Sequence, residues 1–189
     1  MSSEQTIKTL LKQLVLGRPL NEQQAYQAFE QVMSGEAEEA QIAALLTAIQ
    51  VRTGGATVDE IVGAARAMRR HARCVQVPED VDVIDTCGTG GDASGTFNIS
   101  TAAALIAAGA SAHVAKHGNR SVTSSSGSSQ VLEELGVNLQ VEGEVLSRCL
   151  AEARLCFCFA PAHHPAMKYA APVRAALGFR TIFNVLGPL

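Results

Sequence analysis

Apolar residues in the first third of the chain recur every three or four positions, which is the spacing of helices that bury one face. Asn21 with Gln24, and Thr57 with Glu60, form capping-box patterns that open two further helices. The pattern therefore predicts an all-α domain over residues 1–73. The apolar sets of its first and third helices are Ile7, Leu10, Leu11 and Leu14, and Ile42, Leu45, Leu46 and Ile49.

The pattern changes after a predicted linker or hinge at residues 74–80, where Pro78 interrupts any helix. Short apolar runs then alternate with helical periods, which predicts an α/β domain with a mostly parallel sheet over residues 81–160. Residues 161–189 become helical again. The predicted strands cover 81–85, 112–115 and 155–159, and the predicted helices cover 98–109, 128–135 and 143–153.

Composition narrows the class of protein. The chain is 47% hydrophobic and 17% charged, and its net charge of −3 provides no basic field for nucleic acid or anionic lipid. No apolar run reaches the length that spans a bilayer, and the first residues lack the basic start and apolar core of a signal peptide. The five cysteines have no framework spacing and fit reduced thiols. We therefore predict a cytoplasmic protein.

The chemistry concentrates in the stretch from Asp85 to Thr101, which lies between a predicted strand and a predicted helix. Its four glycines expose backbone N–H groups, and the start of a helix adds unpaired donors and partial positive charge. Together these features predict an anion site, most simply for phosphate, with a metal ion and basic side chains nearby. The glycine spacing matches neither the dinucleotide-binding fingerprint nor the lysine-containing phosphate loop of nucleotide-binding proteins.

A second polar cluster, from Lys116 to Ser121, follows the next predicted strand. Ligands of parallel sheets bind at the carboxyl ends of the strands, where both clusters begin. No Ser-His-Asp or paired-carboxylate constellation accompanies them. We therefore expect a binding site rich in backbone and hydroxyl donors rather than a nucleophile activated by a base.

These clusters resemble the anthranilate phosphoribosyltransferase family, of the nucleoside-phosphorylase-like class of phosphoribosyltransferases. The resemblance spans the whole chain, in the order of the family. The matching motifs are Gly88-Thr89-Gly90-Gly91-Asp92, Thr96-Phe97-Asn98-Ile99-Ser100-Thr101, Lys116-His117-Gly118-Asn119-Arg120, His163-His164-Pro165-Ala166-Met167-Lys168, Ala171-Pro172-Val173-Arg174 and Phe183-Asn184-Val185-Leu186-Gly187-Pro188-Leu189.

The resemblance implies a glycosyltransferase (pentosyltransferase) of tryptophan biosynthesis. Such an enzyme transfers the phosphoribosyl group of phosphoribosyl pyrophosphate to the amine of anthranilate and releases pyrophosphate. It implies Mg²⁺ as the cofactor, a homodimer that associates through the helical domain, and return of residues 161–189 to that domain. It implies no acid, base or nucleophile among the side chains, because the amine is itself a nucleophile.

The resemblance also assigns binding residues. For anthranilate they are Gly88, Asn119 and Arg174, with the planar guanidinium of Arg174 suited to the carboxylate. Lys116 offers a mobile charge to phosphate, Asn98 occupies an N-cap position, and Ser100 reaches Mg²⁺. For phosphoribosyl pyrophosphate the residues are Gly88, Gly91, Asp92, Thr96, Asn98, Ile99, Ser100, Thr101, Lys116, His117, Gly118, Asn119, Arg120, Ser121, Val122, Thr123, Ser124 and Ser128.

The chain departs from the family pattern in two ways. Ser125 and Gln130 are neutral where the family commonly has a lysine and an acidic residue, which changes the charge of the serine-rich loop. The chain also stops inside the motif at 183–189, before further strands and an Asp-Glu pair that binds Mg²⁺ in longer relatives. We therefore expect a fragment, with its α/β domain truncated at the C-terminus, that has little or no activity alone.

Three other functions fit parts of the pattern. A pyrimidine nucleoside phosphorylase shares the helical domain and a glycine-rich phosphate loop, but it has a serine-and-arginine signature where Lys116–Arg120 stands here. A non-catalytic relative that binds nucleic acid predicts a basic groove, which the net charge of −3 opposes. A truncated regulatory or dimerising fragment is the third.

Overall fold

The computed structural model describes residues 5–88, 97–120, 127–141 and 143–189. The chain divides into two compact units. One unit holds Met1–Ala72 with His164–Gly187, and the other holds Arg73–His163. None of the helices within the described ranges is long and apolar enough to cross a bilayer.

The elements alternate as an all-helical segment, a strand-and-helix segment and a second helical segment. In chain order they are α1 (Ile7–Val15), α2 (Glu22–Ser34), α3 (Glu39–Gln50), α4 (Val58–Arg70), β1 (Val83–Ile84), α5 (Ile99–Gly109), β2 (His113–Gly118), α6 (Ser128–Glu134), α7 (Gly143–Ala153), β3 (Leu155–Phe159), α8 (Ala160–His163), a 3₁₀ helix (Pro165–Tyr169), α9 (Ala171–Leu177) and α10 (Phe183–Leu186).

Both predicted capping boxes are present in the helical unit. The Asn21 side chain accepts the backbone N–H of Gln24 at 2.9 Å, and the Gln24 side chain accepts the backbone N–H of Asn21 at 3.1 Å. Thr57 and Glu60 make the same reciprocal pair at the start of α4. Each box satisfies donors that have no partner within the helix, so α2 and α4 begin where the sequence indicated.

The core of the helical unit is built around α2 and α4. Gly63 lets the two helices approach closely, since an added Cβ there would lie only 2.7 Å from the backbone nitrogen of Tyr26. Phe29 and Phe183 meet edge to face, with ring centroids 5.6 Å apart. Residues from the 3₁₀ helix, α9 and α10 therefore share one apolar core with α1–α4.

The other unit contains a parallel sheet of described strands in the order β1-β2-β3. Leu132, Leu139, Phe157 and Phe159 form an apolar cluster, while Leu146, Leu150 and Cys156 form another. Because neighbouring residues of a strand point to opposite faces, Cys156 and Phe157 serve different clusters. The predicted α/β class, with a helical N-terminal domain and a parallel sheet, is confirmed.

Strand β2 is longer than predicted. It continues to Gly118 instead of ending at Ala115, and Lys116 and Gly118 pair with Phe157 and Phe159 of β3. Lys116, His117 and Gly118 are therefore parts of the strand rather than of the loop that follows it.

Candidate functional site

The carboxyl ends of β1 and β2 are joined by one side chain. Asp85 directly follows β1, and its Oδ1 accepts the backbone N–H of Cys87 at 2.9 Å and that of His117 at 3.2 Å. The first bond shapes the turn that enters the glycine-rich stretch. The second brings that turn to the motif around Lys116. Two clusters about 30 residues apart in sequence therefore lie together at one edge of the sheet.

Helix α5 begins at this edge. Asn98 occupies its N-cap position, as predicted, but its side chain makes no capping hydrogen bond among the described residues. Thr86 Oγ1 donates to the carbonyl oxygen of Ser100 at 2.8 Å, which ties the first turn of α5 to the residue after Asp85. The Thr101 hydroxyl is buried, and no described group bonds to it. The start of α5 thus brings Asn98, Ser100 and Thr101 to the end of β1.

Lys116, predicted to offer a mobile charge to phosphate, is buried in the structure. Only 3% of the residue is exposed, and its Nζ lies 3.4 Å from the carbonyl oxygen of His117. Burial lowers the pKa of Lys116, and the Asp85 carboxylate opposes this effect. A strand holds this ammonium group in place, which suits binding of an anion at the strand end.

His117 lies beside Lys116 in β2 and points to the opposite face of the sheet. Burial lowers its pKa, again against the influence of Asp85. The imidazole is therefore neutral near pH 7, with a lone pair on one ring nitrogen.

Gly118 and Ser128 are in close contact. A Cβ at Gly118 would lie 2.6 Å from Cζ of Phe157 and 2.7 Å from Oγ of Ser128. The absence of a side chain at Gly118 thus lets Ser128, the first residue of α6, approach the end of β2. The Gln130 side chain accepts the backbone N–H of Gly127 at 2.6 Å, so the neutral residue that departs from the family pattern caps this helix.

Asn119 and Arg120 follow β2 and are exposed. Asn119 Oδ1 accepts the backbone N–H of Arg120 at 2.8 Å. The Arg120 guanidinium forms an ion pair with Glu133 of α6 at 2.8 Å and lies 6.0 Å from the ring centroid of Phe159. Arg120 is therefore held against α6 by two contacts.

Arg174 belongs to the helical unit. It is the fourth residue of α9, and its guanidinium carbon lies 5.3 Å from the centroid of the Phe183 ring. Burial lowers its pKa, but an arginine stays charged at any physiological pH. Its planar group remains a chemically suitable partner for a carboxylate.

Several residues assigned to phosphoribosyl pyrophosphate lie outside the described ranges, and so does Ser125. The assigned residues outside the described ranges are Gly91, Asp92, Thr96, Ser121, Val122, Thr123 and Ser124. Gly88 is the last described residue before that gap, and it is exposed.

Two residues at this edge, Asp85 and Cys87, received no individual role from the sequence. Asp85 joins the two clusters, and its position directly after a strand is the signal that could have indicated it. The Cys87 thiol faces the Asp85 carboxylate, and burial together with that carboxylate raises the pKa of Cys87 to about 12. The thiol is thus protonated near neutral pH, which excludes a role as an activated thiolate nucleophile under those conditions.

Comparison with known proteins agrees with this geometry. Residues 80–189 match the pattern of the "Glycosyl transferase family, a/b domain", and residues 8–72 match the "Glycosyl transferase family, helical bundle domain". The chain belongs to this glycosyl transferase family. The boundary between the two matches falls close to the boundary between the two compact units.

Individual relatives of this glycosyl transferase chain share one name. This chain is 55% identical to the anthranilate phosphoribosyltransferase of Rubrobacter xylanophilus over 183 residues, which are 97% of this chain and 52% of that relative. It is 58% identical to that of Herpetosiphon aurantiacus over 170 residues, covering 90% of this chain and 49% of the relative. The predicted family resemblance is confirmed, and the chain spans about half the length of the curated relatives it matches.

Solved structures give the same result. The crystal structure of anthranilate phosphoribosyltransferase from Thermus thermophilus matches with a TM-score of 0.82 at 43% identity. The match covers 94% of this chain and 53% of the Thermus chain. The structure of the enzyme from Saccharomyces cerevisiae, in complex with phosphoribosyl pyrophosphate and magnesium, matches with a TM-score of 0.87 at 30% identity. The match covers 98% of this chain and 55% of the yeast chain.

Proposed function

We propose that this chain supplies the phosphoribosyl pyrophosphate site of an anthranilate phosphoribosyltransferase of tryptophan biosynthesis. The observation that carries this proposal is the meeting of the two motif clusters at the Asp85–His117 hydrogen bond. The name shared by relatives more than 50% identical supports the choice of substrates.

In the proposed reaction, the nitrogen of anthranilate attacks C1′ of phosphoribosyl pyrophosphate. The new N–C1′ bond forms as the C1′–O bond to pyrophosphate breaks, and the nitrogen then gives up a proton to solvent. Such a reaction needs no protein nucleophile. Positioning of the two reactants can lower the barrier by about 7–11 kcal/mol, and preorganised donors supply further stabilisation of the departing anion.

The chain's own residues would bind and orient the phosphates. Lys116 presents an ammonium group from a rigid strand, and its burial strengthens its interaction with an anion. Ser128 is held beside Gly118, and Asn98 and Thr101 are presented by the start of α5. Backbone N–H groups at that helix start favour negative charge. Asn119 and Arg174 are the residues we assign to anthranilate, together with Gly88.

Mg²⁺ is part of the proposal, with Ser100 as its protein ligand. A hydroxyl oxygen fits the preference of Mg²⁺ for oxygen, and water and phosphate oxygens normally fill most of its remaining positions. The bond from Thr86 to the carbonyl oxygen of Ser100 holds this residue at the site. When bound, the metal would offset negative charge on the departing pyrophosphate.

A homodimer in the cytoplasm completes the proposal. The helical unit exposes Val15, Leu16, Val51 and Val58, each at least 69% accessible. Contiguous apolar patches mark surfaces that associate, and we propose these four side chains as part of the dimer surface of that unit. Sedimentation of the chain at several concentrations would test the dimer.

Calorimetric titration with phosphoribosyl pyrophosphate, with and without Mg²⁺, tests the proposed site. A charge-assisted contact contributes about 1.5–3 kcal/mol, so Lys116→Met should weaken binding at least about tenfold. Lys12→Met is the matched control, because Lys12 is an exposed lysine of α1 outside the site. Equal affinity in both variants, or no Mg²⁺-dependent binding by the folded chain, would contradict the proposal. Binding of a pyrimidine nucleoside with phosphate instead would indicate a phosphorylase.

The assignment of Arg174 is tested separately by adding anthranilate in the presence of phosphoribosyl pyrophosphate and Mg²⁺. Arg174→Gln removes the charge and keeps a polar, though shorter, side chain. We expect it to lower anthranilate affinity at least about tenfold and to leave phosphoribosyl pyrophosphate affinity unchanged. An unchanged anthranilate affinity would remove Arg174 from the site.

A further inference from the structure

We propose that Asp85, Cys87 and His117 form a second metal site, specific for a thiophilic divalent cation of the zinc class. Each residue offers one ligand atom, and the carboxylate oxygen, the thiol sulfur and the ring nitrogen all lie within 4.8 Å of one another. The site differs from the Mg²⁺ site proposed at Ser100, because it has its own ligands and a different donor chemistry.

The separations are close to those of a bound ion. Zinc lies about 2.0–2.1 Å from a histidine nitrogen, about 2.0–2.2 Å from a carboxylate oxygen and about 2.3 Å from a cysteine sulfur. Ligand atoms around a tetrahedral ion are therefore roughly 3.3–3.8 Å apart. The observed separations are no more than 4.8 Å, so the three atoms need to approach by at most about 1–1.5 Å to reach that spacing.

The backbone already holds the three residues in place. Asp85 Oδ1 accepts the N–H groups of both Cys87 and His117, so one carboxylate links the two other ligands. His117 lies in β2 and is paired with Cys158 of β3, which restricts its position. Bonds of this kind orient the ligands of metal sites and raise their affinity. The ligands are thus arranged by the sheet and by one turn.

The mixed donor set selects the type of metal. Mg²⁺ and Ca²⁺ prefer ligands that are all oxygen, whereas one sulfur, one nitrogen and one oxygen suit Zn²⁺ or Co²⁺. Three protein ligands leave a fourth tetrahedral position for water or another small ligand. On binding, the S–H bond of Cys87 breaks, a sulfur–metal bond forms and the proton passes to solvent. His117 contributes the lone pair of its neutral ring.

The metal site can be tested apart from the proposed enzymatic function. Cys87 is not among the residues assigned to phosphoribosyl pyrophosphate, so Cys87→Ser should lose the thiophilic metal and keep Mg²⁺-dependent binding of phosphoribosyl pyrophosphate. A chain that binds no thiophilic metal would contradict the metal site but not the proposed function. A chain that binds no phosphoribosyl pyrophosphate would contradict the proposed function but not the metal site.

Co²⁺ titration of the whole chain is the experiment, since a cobalt–thiolate bond absorbs in the near ultraviolet. We expect this band in the unaltered chain and in Cys74→Ser, where an exposed cysteine outside the cluster is replaced. The band should disappear in Cys87→Ser. Affinity for Zn²⁺, measured by competition with a chelator, should fall at least about 100-fold, because even the loss of an outer-shell partner costs about 10–100-fold.

Asp85→Asn provides a second variant that preserves the fold. Its amide oxygen still accepts both backbone N–H groups, but its charge is lost, so the affinity for Zn²⁺ should fall at least about tenfold. Circular dichroism would establish that each variant is folded. A cobalt–thiolate band that survives in folded Cys87→Ser, a band lost only in Cys158→Ser, or no metal-dependent absorption by the folded chain would overturn the proposal.

Discussion

The Asp85 carboxylate accepts the backbone N–H of His117 at 3.2 Å, and this bond joins the ends of β1 and β2. The same oxygen accepts the N–H of Cys87 at 2.9 Å. One side chain therefore sets both the turn that leaves β1 and its distance from β2. Because β1 contains only two residues, the sheet ladder contributes little to holding this turn.

Removing the Asp85 carboxylate should therefore destabilise this edge. Each hydrogen bond contributes about 0.5–1.5 kcal/mol, so Asp85→Ala should lower the free energy of unfolding by about 1–3 kcal/mol. Asp85→Asn should lose less than half as much, because its amide oxygen can accept the same two N–H groups. Urea unfolding measures both. Asp82→Ala, at an exposed carboxylate just before β1, should change stability by less than about 0.5 kcal/mol.

Gly118→Ala should damage both the packing and the proposed phosphate site. The new methyl group would lie 2.6 Å from the Phe157 ring and 2.7 Å from Ser128 Oγ, so both contacts must be relieved by a shift of these side chains or of the backbone. We expect a loss of about 1–3 kcal/mol of stability, with weaker binding of phosphoribosyl pyrophosphate. Thermal unfolding and calorimetry are the measurements.

Gly109→Ala is the control for that substitution. Gly109 ends α5, and an added Cβ there meets no described atom within 4 Å. Alanine favours a helix over glycine by about 0.5–1 kcal/mol, so this variant should keep or gain stability. Equal losses in both variants would show that the crowding at Gly118 is not the cause.

Lys116→Met should weaken binding of phosphoribosyl pyrophosphate without lowering the stability of the fold. The Lys116 side chain is buried and forms no ion pair with any residue that the structure describes. A buried charge without an ion pair is unfavourable, and methionine has a similar length without the charge. Stability measured by urea unfolding should be unchanged or higher, while phosphoribosyl pyrophosphate binds more weakly. A loss of stability above about 1 kcal/mol would mean that the ammonium group has a structural partner.

In the helical unit, Glu60→Ala should be strongly destabilising. Glu60 is fully buried and accepts the backbone N–H groups of Leu20 at 3.0 Å and Thr57 at 2.8 Å. It also pairs with Arg52, whose side chain is only 12% exposed. Removing Glu60 leaves that guanidinium buried and unpaired, which should cost about 3–5 kcal/mol in unfolding experiments.

A double-mutant cycle would identify the source of that loss. If the Arg52–Glu60 pair is responsible, Arg52→Met with Glu60→Ala should be less destabilising than the sum of the single changes, by about 0.5–3 kcal/mol. Asp59→Ala is the neighbouring control, because Asp59 is exposed in the same helical turn. Additive effects of Arg52→Met and Glu60→Ala would contradict the interpretation of a coupled pair.

The helix starts could be predicted because they depend on residues close in sequence. Asn21 and Gln24, three positions apart, contact each other's backbone in any chain that begins a helix there. The end of β2 was not predicted, because Lys116, His117 and Gly118 lack the β-branched and aromatic pattern of a typical strand. Their strand conformation depends on backbone pairing with Phe157–Phe159 of β3, which the local pattern does not contain.

The amino-acid sequence by itself determined the helical and α/β character of the two segments, the capping boxes and the motifs of the glycosyl transferase family. These features depend on hydrophobic periodicity and on residues within a few positions of one another. Only the tertiary structure decided that Asp85 meets His117, that Lys116 is buried, and that Cys87 joins them at one edge. The meeting of Asp85 with His117 follows from sheet register, which brings together groups about 30 residues apart. The burial of Lys116 follows from its place in the middle strand.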